Sequence, residues 1–219
     1  MADIKVPCTY EDAMNCSDSD VWLEACAEEL GALREMKTYI PVHESKADPH
    51  NVVGCRWVFA IKKNANGDIE HYKACIVAKG FNQIYAIDYD ETFAPVVKWS
   101  LIRILLALAT RSDLEVHQMD VKTAFLNGNL EHKIFMHPPP GCADYGWKDI
   151  IWKLRKSLYG LKQALQAWYT KAKDELKRLF FACLNSDHAI FTHSSNGKFC
   201  IIALYVDDLM ILSNDLSSL

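Results

Sequence analysis

The spacing of apolar positions divides the chain into a small number of legible segments. After Ser17 and Asp18, residue types that favour helix N-caps, Trp22, Cys26, Leu30, Leu33 and Met36 recur at helical intervals. They predict an amphipathic helix ending near Lys37. The seventeen residues before Asp18 are polar and mixed, and PVHESKADPHN, Pro41 to Asn51, has the composition of a loop. GCRWVFAIKK and EHYKACIVAKG read as two strands joined through NANGD, Asn64 to Asp68, whose Asn-Gly is a hairpin signal.

Further on, DYDETFAPVV is a loop by pattern, and SLIRILLALATRSD predicts a buried helix because its apolar residues nearly encircle the axis. LEVHQMDV is a short strand ending in Asp120. KTAFLNGNL follows it, and then KIFMHPPPG, a strand broken by three prolines. QAWYTKAKDELKRLFF is the last long helix, with Trp168, Leu176 and Leu179 available for one face. HAIFTHSSNGKFCIIALYV makes two strands about a Ser-Asn-Gly loop, and DLMILS returns as a third. Hairpins dominate, so the fold class expected is α+β with an antiparallel sheet rather than a doubly wound parallel one.

Composition narrows the picture only a little. With 219 residues the chain can build one large domain or two small ones, and 50% hydrophobic with 24% charged residues is ordinary for a globular protein. A net charge of −4 gives no global basic signature, so any nucleic-acid contact must be a local patch. The basic region holds Lys153, Arg155, Lys156 and Lys162, then Lys171, Lys173, Lys177 and Arg178 on the last helix. It is either a track for a phosphate backbone or a wet helix face diluted by Asp174 and Glu175. None of the eight cysteines has C-x-x-C spacing or forms a zinc-like cluster with histidines, which predicts reduced core thiols of an intracellular protein. No signal peptide opens the chain and no apolar run approaches the ~20 residues of a membrane span. A soluble protein with no membrane partner is expected.

The chemistry concentrates in IIALYVDDLMIL, Ile201 to Leu212, where Asp207 and Asp208 interrupt an apolar run. Carboxylates held beside hydrocarbon need a partner. If the strand ending in Asp120 lies beside this hairpin, three acids converge. Such hard oxygen ligands suit Mg²⁺, and two ions ~4 Å apart can activate an attacking hydroxyl and stabilise a leaving phosphate oxygen. The alternative is an ordinary water-facing Asp-Asp turn.

The runs RWVFAIKKNANGDIEHYKACIVAKGFNQ, IDYDETFAPVVK, HQMDVKTAFLNGNL, WKLRKSLYGLKQALQAWY and LYVDDLMIL together resemble the reverse transcriptase domain of Ty1/copia-type retrotransposon Pol polyproteins, in that family's order and spacing. VWLEACAEELGAL resembles its usual lead-in. The resemblance implies a lead-in over residues 1–50 and fingers and palm of a right-hand polymerase over 51–219. It implies RNA-directed DNA polymerase activity with two Mg²⁺ ions, for which Mn²⁺ could substitute. The partners implied are an RNA or DNA template with its primer and deoxynucleoside triphosphates. By position, Asp120, Asp207 and Asp208 match the catalytic, metal-binding acids, and Val121 would offer a backbone carbonyl to a metal. Phe125 matches the aromatic that crowds the sugar 2′ position, although a core phenylalanine is an equal reading. Lys62 and Lys73 match fingers lysines that meet the triphosphate, or else are solvated. Tyr159 and Gly160 match the segment shaping the nucleotide pocket, to which Gln163 also belongs.

The match departs from the family pattern at several points. Cys75 and Gln166 stand where the family has arginines, Leu165 where it has proline, and Ala86 and Phe180 where it has glycines. The chain ends at Leu219, a few residues past the hairpin. A thumb and RNase H domain are therefore expected to lie outside it, with a second subunit as one source of the thumb. Family habit implies virus-like particles in the cytoplasm. The rival readings are a catalytically silent relic that binds nucleic acid or protein, and a nuclease or integrase of retroviral type. The adjacent acid pair on a tight hairpin argues against the last.

Overall fold

The computed structural model describes residues 5–47, 52–142 and 149–215. Its elements, in chain order, begin with α1 (Tyr10–Met14), α2 (Ser19–Glu35), β1 (Tyr39–His43), β2 (Val52–Val53), β3 (Cys55–Lys63) and β4 (Ile69–Ala78). They continue with α3 (Trp99–Ser112), β5 (Glu115–Asp120), α4 (Ala124–Asn127), β6 (Phe135–Met136), β7 (Ile150–Leu154) and α5 (Ala164–Arg178). The last four strands are β8 (Ala182–Cys183), β9 (Ile190–Ser195), β10 (Lys198–Tyr205) and β11 (Asp208–Ser213). This is a mixed α+β chain with largely antiparallel sheets, as the pattern of hairpins predicted. It divides into two compact units, residues 1–91 with 125–164 and residues 92–124 with 165–219.

In the first unit, α2 supplies the buried stripe Trp22, Cys26, Leu30 and Leu33 expected from its spacing. Trp22 meets Phe59 and Tyr72 edge to face, with ring centroids 5.2 and 4.8 Å apart, and so ties α2 to the β3–β4 hairpin. The helix ends where its pattern ends: Lys37 adopts φ 52°, Thr38 N–H donates to Leu33 O and Lys37 N–H to Arg34 O. That is a Schellman closure with a lysine in the left-handed position. A short helix, α1, lies in the stretch that looked merely polar, started by a reciprocal capping box between Thr9 and Asp12.

The loop predicted from Pro41 to Asn51 needs correction. Tyr39–His43 is a strand, followed by one 3-10 turn over Glu44–Lys46, while 48–51 lie outside the described residues. β1 is the edge of a four-stranded sheet ordered β1-β7-β6-β2, and an edge strand tolerates the missing N–H of Pro41. Tyr39 stacks on Trp152 of β7 at 3.6 Å between centroids. The β3–β4 hairpin turns where expected, with Asn64 Oδ1 accepting from the Asn66 and Asp68 N–H groups and Gly67 at φ 87°.

The second unit is built on a five-stranded antiparallel sheet ordered β5-β11-β10-β9-β8. Asn196 and Gly197 both have positive φ, 53° and 77°, as a two-residue hairpin loop of type I′ requires. The core gathers Val97, Leu105, Ala109, Ala189, Ile190, Ala203 and Leu212. α3 is not the buried helix its composition suggested. Only Leu105 and Ala109 of it are buried, whereas Ile104 is 60% exposed and Leu106 44%, because one face alone meets the core cluster. On α5, Trp168, Tyr169 and Ala172 are buried, while the predicted contact residue Leu179 is 63% exposed just past the helix end. All eight cysteines are thiols outside any disulfide, but only Cys26, Cys142 and Cys200 are buried, so the expectation of eight core thiols fails for the rest. Among the described residues no helix is long and apolar enough to cross a membrane.

Candidate active site

Two apolar strands, β10 and β11, close on the pair Tyr205–Asp208, leaving Val206 and Asp207 as a two-residue turn. Only the first of these has positive φ, Val206 at 57°. That is the type II′ pattern, which normally takes glycine at this position. A β-branched residue there is strained by roughly 1–3 kcal/mol. The turn is held from outside: the Trp168 indole N–H donates to Val206 O at 2.7 Å, and Val121 N–H donates to Asp207 O at 2.9 Å.

β11 pairs antiparallel with β5, and in that register Asp208 stands directly opposite Asp120. Residues so placed project from the same face of the sheet, and like charges in that position repel. Among the described residues none of Asp120, Asp207 and Asp208 forms an ion pair with lysine or arginine. Gln118, two residues before Asp120 on the same face of β5, donates from Nε2 to Asp208 Oδ1 at 3.2 Å. β5 is the sheet edge and is exposed along its whole length, so this face is open to solvent. Among the described residues no three His, Cys, Asp or Glu side chains form a ready metal cage. An ion of the Mg²⁺ type, which takes one or two carboxylates and completes its shell with water and phosphate, needs none.

The residues matched to nucleotide binding lie in the other unit. The β3–β4 register pairs Lys62 with His71 and Ala60 with Lys73, which puts both lysines on the exposed face of the hairpin. The opposite face carries Phe59 and Ile76 into the core. Cys75, opposite Val58, shares the lysine face. Burial and the nearby Glu29 push its thiol up, against Lys73 and Lys62, so it carries no charge at neutral pH. Glu29 reaches the same strand, accepting from Ile76 N–H at 3.0 Å, and burial raises its carboxyl above the ordinary value.

Phe125 and Tyr159 meet edge to face at 4.6 Å, with Tyr159 54% exposed. The Tyr159 loop is clamped in place. Gly160 has φ 90°, and a Cβ on it would lie 2.2 Å from Ala78 O; one on Gly80 would lie 2.0 Å from Gly160 O. This approach lets Ala78 N–H donate to Tyr159 O at 2.7 Å. A buried amide network completes the clamp: Gln83 donates to Gln163 Oε1, Gln163 donates to Asp88 O, and Lys162 N–H donates to Gln83 Oε1. Asp88 is wholly buried, with Oδ2 accepting from Ile84 N–H and Oδ1 unpartnered among the described residues.

The basic run is only partly free. Lys171 and Arg178 both pair with Glu175, whose carboxyl is lowered chiefly by the Lys171 hydrogen bond. Lys156 donates to Asn129 and Lys162 to the Tyr89 hydroxyl. Sequence reasoning missed Gln118, Trp168 as a turn anchor, and the Gln83–Asp88 half of the amide clamp. The i, i+2 spacing of Gln118 and Asp120 was a usable signal for the first; the others depend on tertiary contacts.

The profile of the family described as "Reverse transcriptase (RNA-dependent DNA polymerase)" matches residues 36–219. The chain is 40% identical over 216 residues to the retrovirus-related Pol polyprotein from transposon TNT 1-94 of Nicotiana tabacum, covering 98% of this chain and 16% of that protein. It is 38% identical over 203 residues to the corresponding polyprotein from transposon RE2 of Arabidopsis thaliana, covering 93% and 14%. Against the transposon Ty1-OR Gag-Pol polyprotein of Saccharomyces cerevisiae the identity is 27% over 224 residues, covering 98% and 12%. The chain thus spans less than a fifth of the length of these relatives. It belongs to the reverse transcriptase family, as a reverse transcriptase domain of the Ty1/copia type.

Proposed function

We propose that this chain is the fingers and palm of an RNA-directed DNA polymerase that adds deoxynucleotides to a primer 3′ end. Reverse transcriptases as a family use divalent metals, nucleic-acid templates and nucleotides. On this reading the β5-β11-β10-β9-β8 sheet is the palm and the β3–β4 hairpin belongs to the fingers. The observation that carries it is the register of Asp120 opposite Asp208 beside the turn that bears Asp207. Three acids with no ion-pair partner among the described residues fit a divalent metal and are otherwise a liability to the sheet. Two Mg²⁺ ions, or Mn²⁺ in their place, would be held by Asp120, Asp207, Asp208 and the Val121 carbonyl, and would supply Lewis-acid activation of the primer hydroxyl and of the leaving pyrophosphate. Gln118 keeps one Asp208 oxygen oriented. Lys62 and Lys73 would meet the triphosphate, and Phe125, braced by Tyr159, would exclude a 2′-hydroxyl.

A second reading, a catalytically silent nucleic-acid-binding or interaction module, is favoured by the uncharged Cys75 thiol on the lysine face. Primer extension separates the two. The chain is given an RNA template, a DNA primer, deoxynucleotides and Mg²⁺, with an Asp207→Asn/Asp208→Asn protein alongside. Extension by the parent alone supports the polymerase; no extension by either, at low salt and high protein concentration, favours the silent module.

A further inference from the structure

The turn between β10 and β11 carries a residue in a conformation it does not favour, and α5 supplies the group that meets it. Val206 sits at φ 57°, and its carbonyl accepts the Trp168 indole N–H at 2.7 Å. That carbonyl belongs to the central peptide of the turn, the one joining Val206 to Asp207. Type II′ and type I′ turns differ by a flip of this peptide, and the flip would carry Asp207 into positive φ, which an aspartate tolerates. Val206 gives no intrinsic preference for type II′, since glycine is the residue that does. Trp168 is 6% exposed and its indole has a single donor, already aimed at Val206 O. On the far side of the turn, Val121 N–H holds Asp207 O at 2.9 Å, so the turn has one anchor on each side.

We propose that Trp168 is a positioning residue: its indole N–H selects one orientation of the Val206–Asp207 peptide and thereby fixes how Asp207 is presented beside Asp208 and Asp120. It touches no reacting atom and acts through the turn. The proposal rests on the polymerase reading for its kinetic consequence, but its structural half stands without it.

The test uses four versions of the 219-residue chain: the parent, Trp168→Phe, Val206→Gly and the double variant. Phenylalanine keeps an aromatic ring in the site and removes the donor, while glycine makes type II′ intrinsic. The first readout is amide hydrogen exchange at Val121, followed by NMR, with Phe191 and Ile202 amides as references for global stability. Exchange at Val121 is expected to quicken about tenfold relative to the references in Trp168→Phe and to return near the parent value in the double variant. The second readout is primer extension, where Trp168→Phe should lower kcat about tenfold with little change in the deoxynucleotide KM, again restored by Val206→Gly. Equal losses from Trp168→Phe in the valine and glycine backgrounds would overturn the proposal, since a packing role predicts that. So would an unchanged Val121 exchange rate in Trp168→Phe. If the parent does not extend primers, the polymerase reading fails, and the exchange data still decide the role of Trp168.

Discussion

Asp120 and Asp208 face each other across the β5–β11 pair, two acids opposed in register on an exposed sheet edge, with Gln118 bonded to one of them at 3.2 Å. The arrangement is costly to an isolated sheet and useful to one that binds a cation. It makes Gln118 a tuning residue. Gln118→Leu should free Asp208 and slow nucleotide addition by about tenfold, since one hydrogen bond to a carboxylate is lost while every metal ligand remains. Single-turnover extension measures this; an unchanged rate would show that Asp208 needs no such support.

At Ala86 and Phe180, where the resemblance implies glycine, the backbone is one that favours glycine. Ala86 has φ 65° and Phe180 φ 63°. Phe180 follows α5 in a Schellman closure, with Phe181 N–H donating to Leu176 O and Phe180 N–H to Lys177 O. Its side chain is 81% exposed, so little packing is at stake. Ala86→Gly and Phe180→Gly should each stabilise the fold by about 1 kcal/mol, raising Tm by roughly 2–4 °C. Thermal unfolding checks this, and a fall in Tm for either variant would contradict the strain argument.

The contribution of Glu29 to stability is expected to fall with rising pH. Burial raises its folded-state pKa above the ordinary carboxyl value, opposed by the Ile76 N–H bond and by Lys73. Between the unfolded and folded values the folded chain binds more protons, so stability drops as pH climbs through that window, and the deficit is complete above it. Glu29→Gln keeps an acceptor for Ile76 and removes the buried charge. It should stabilise the chain by up to about 1 kcal/mol at about pH 7.5 and by much less at about pH 4.5. Urea denaturation at the two pH values reads the difference; equal effects at both would rule out the titration.

Cys75 shares a face with Lys62 and Lys73, as the β3–β4 register shows. Cys75→Arg adds a fixed cation there, beside Glu29. Binding to a primer–template should tighten, and the slope of log K against log salt should steepen by about 0.7–0.9, one further phosphate contact. Fluorescence anisotropy over a salt series measures the slope. An unchanged slope would place this face away from the nucleic acid.

Much of this fold was legible because local chemistry and tertiary structure agree. The Asn64–Asp68 turn, the Ser-Asn-Gly loop and the α2 stripe each lie where turn residues and apolar spacing put them. The errors arise where tertiary context outweighs local pattern. α3 is apolar nearly all round yet buries Leu105 and Ala109 alone. Pro41 looked like a loop marker and sits in an edge strand. β7, the five residues IIWKL, shows no alternation of apolar and polar positions, so its pattern predicts no strand. At the candidate site, Asp207 and Asp208 stood out because they interrupt an apolar run. That Asp208 stands opposite Asp120 is a matter of sheet register, which one strand's pattern cannot specify. Trp168 read as a core aromatic and is buried as one; its donor role depends on where α5 meets the turn.

Asp120 and the Asp207–Asp208 pair are expected to hold divalent metal together. The most direct measurement is a Mn²⁺ titration followed by electron paramagnetic resonance on the parent and on Asp120→Asn, Asp207→Asn and Asp208→Asn, with unfolding curves to show that each is folded. Saturable binding in the parent that is weakened at least tenfold by Asp120→Asn and by Asp208→Asn is the predicted result, since the two side chains share one face of the sheet. Binding untouched by Asp120→Asn, or no saturable binding in the parent, would show that these acids do not hold a metal together.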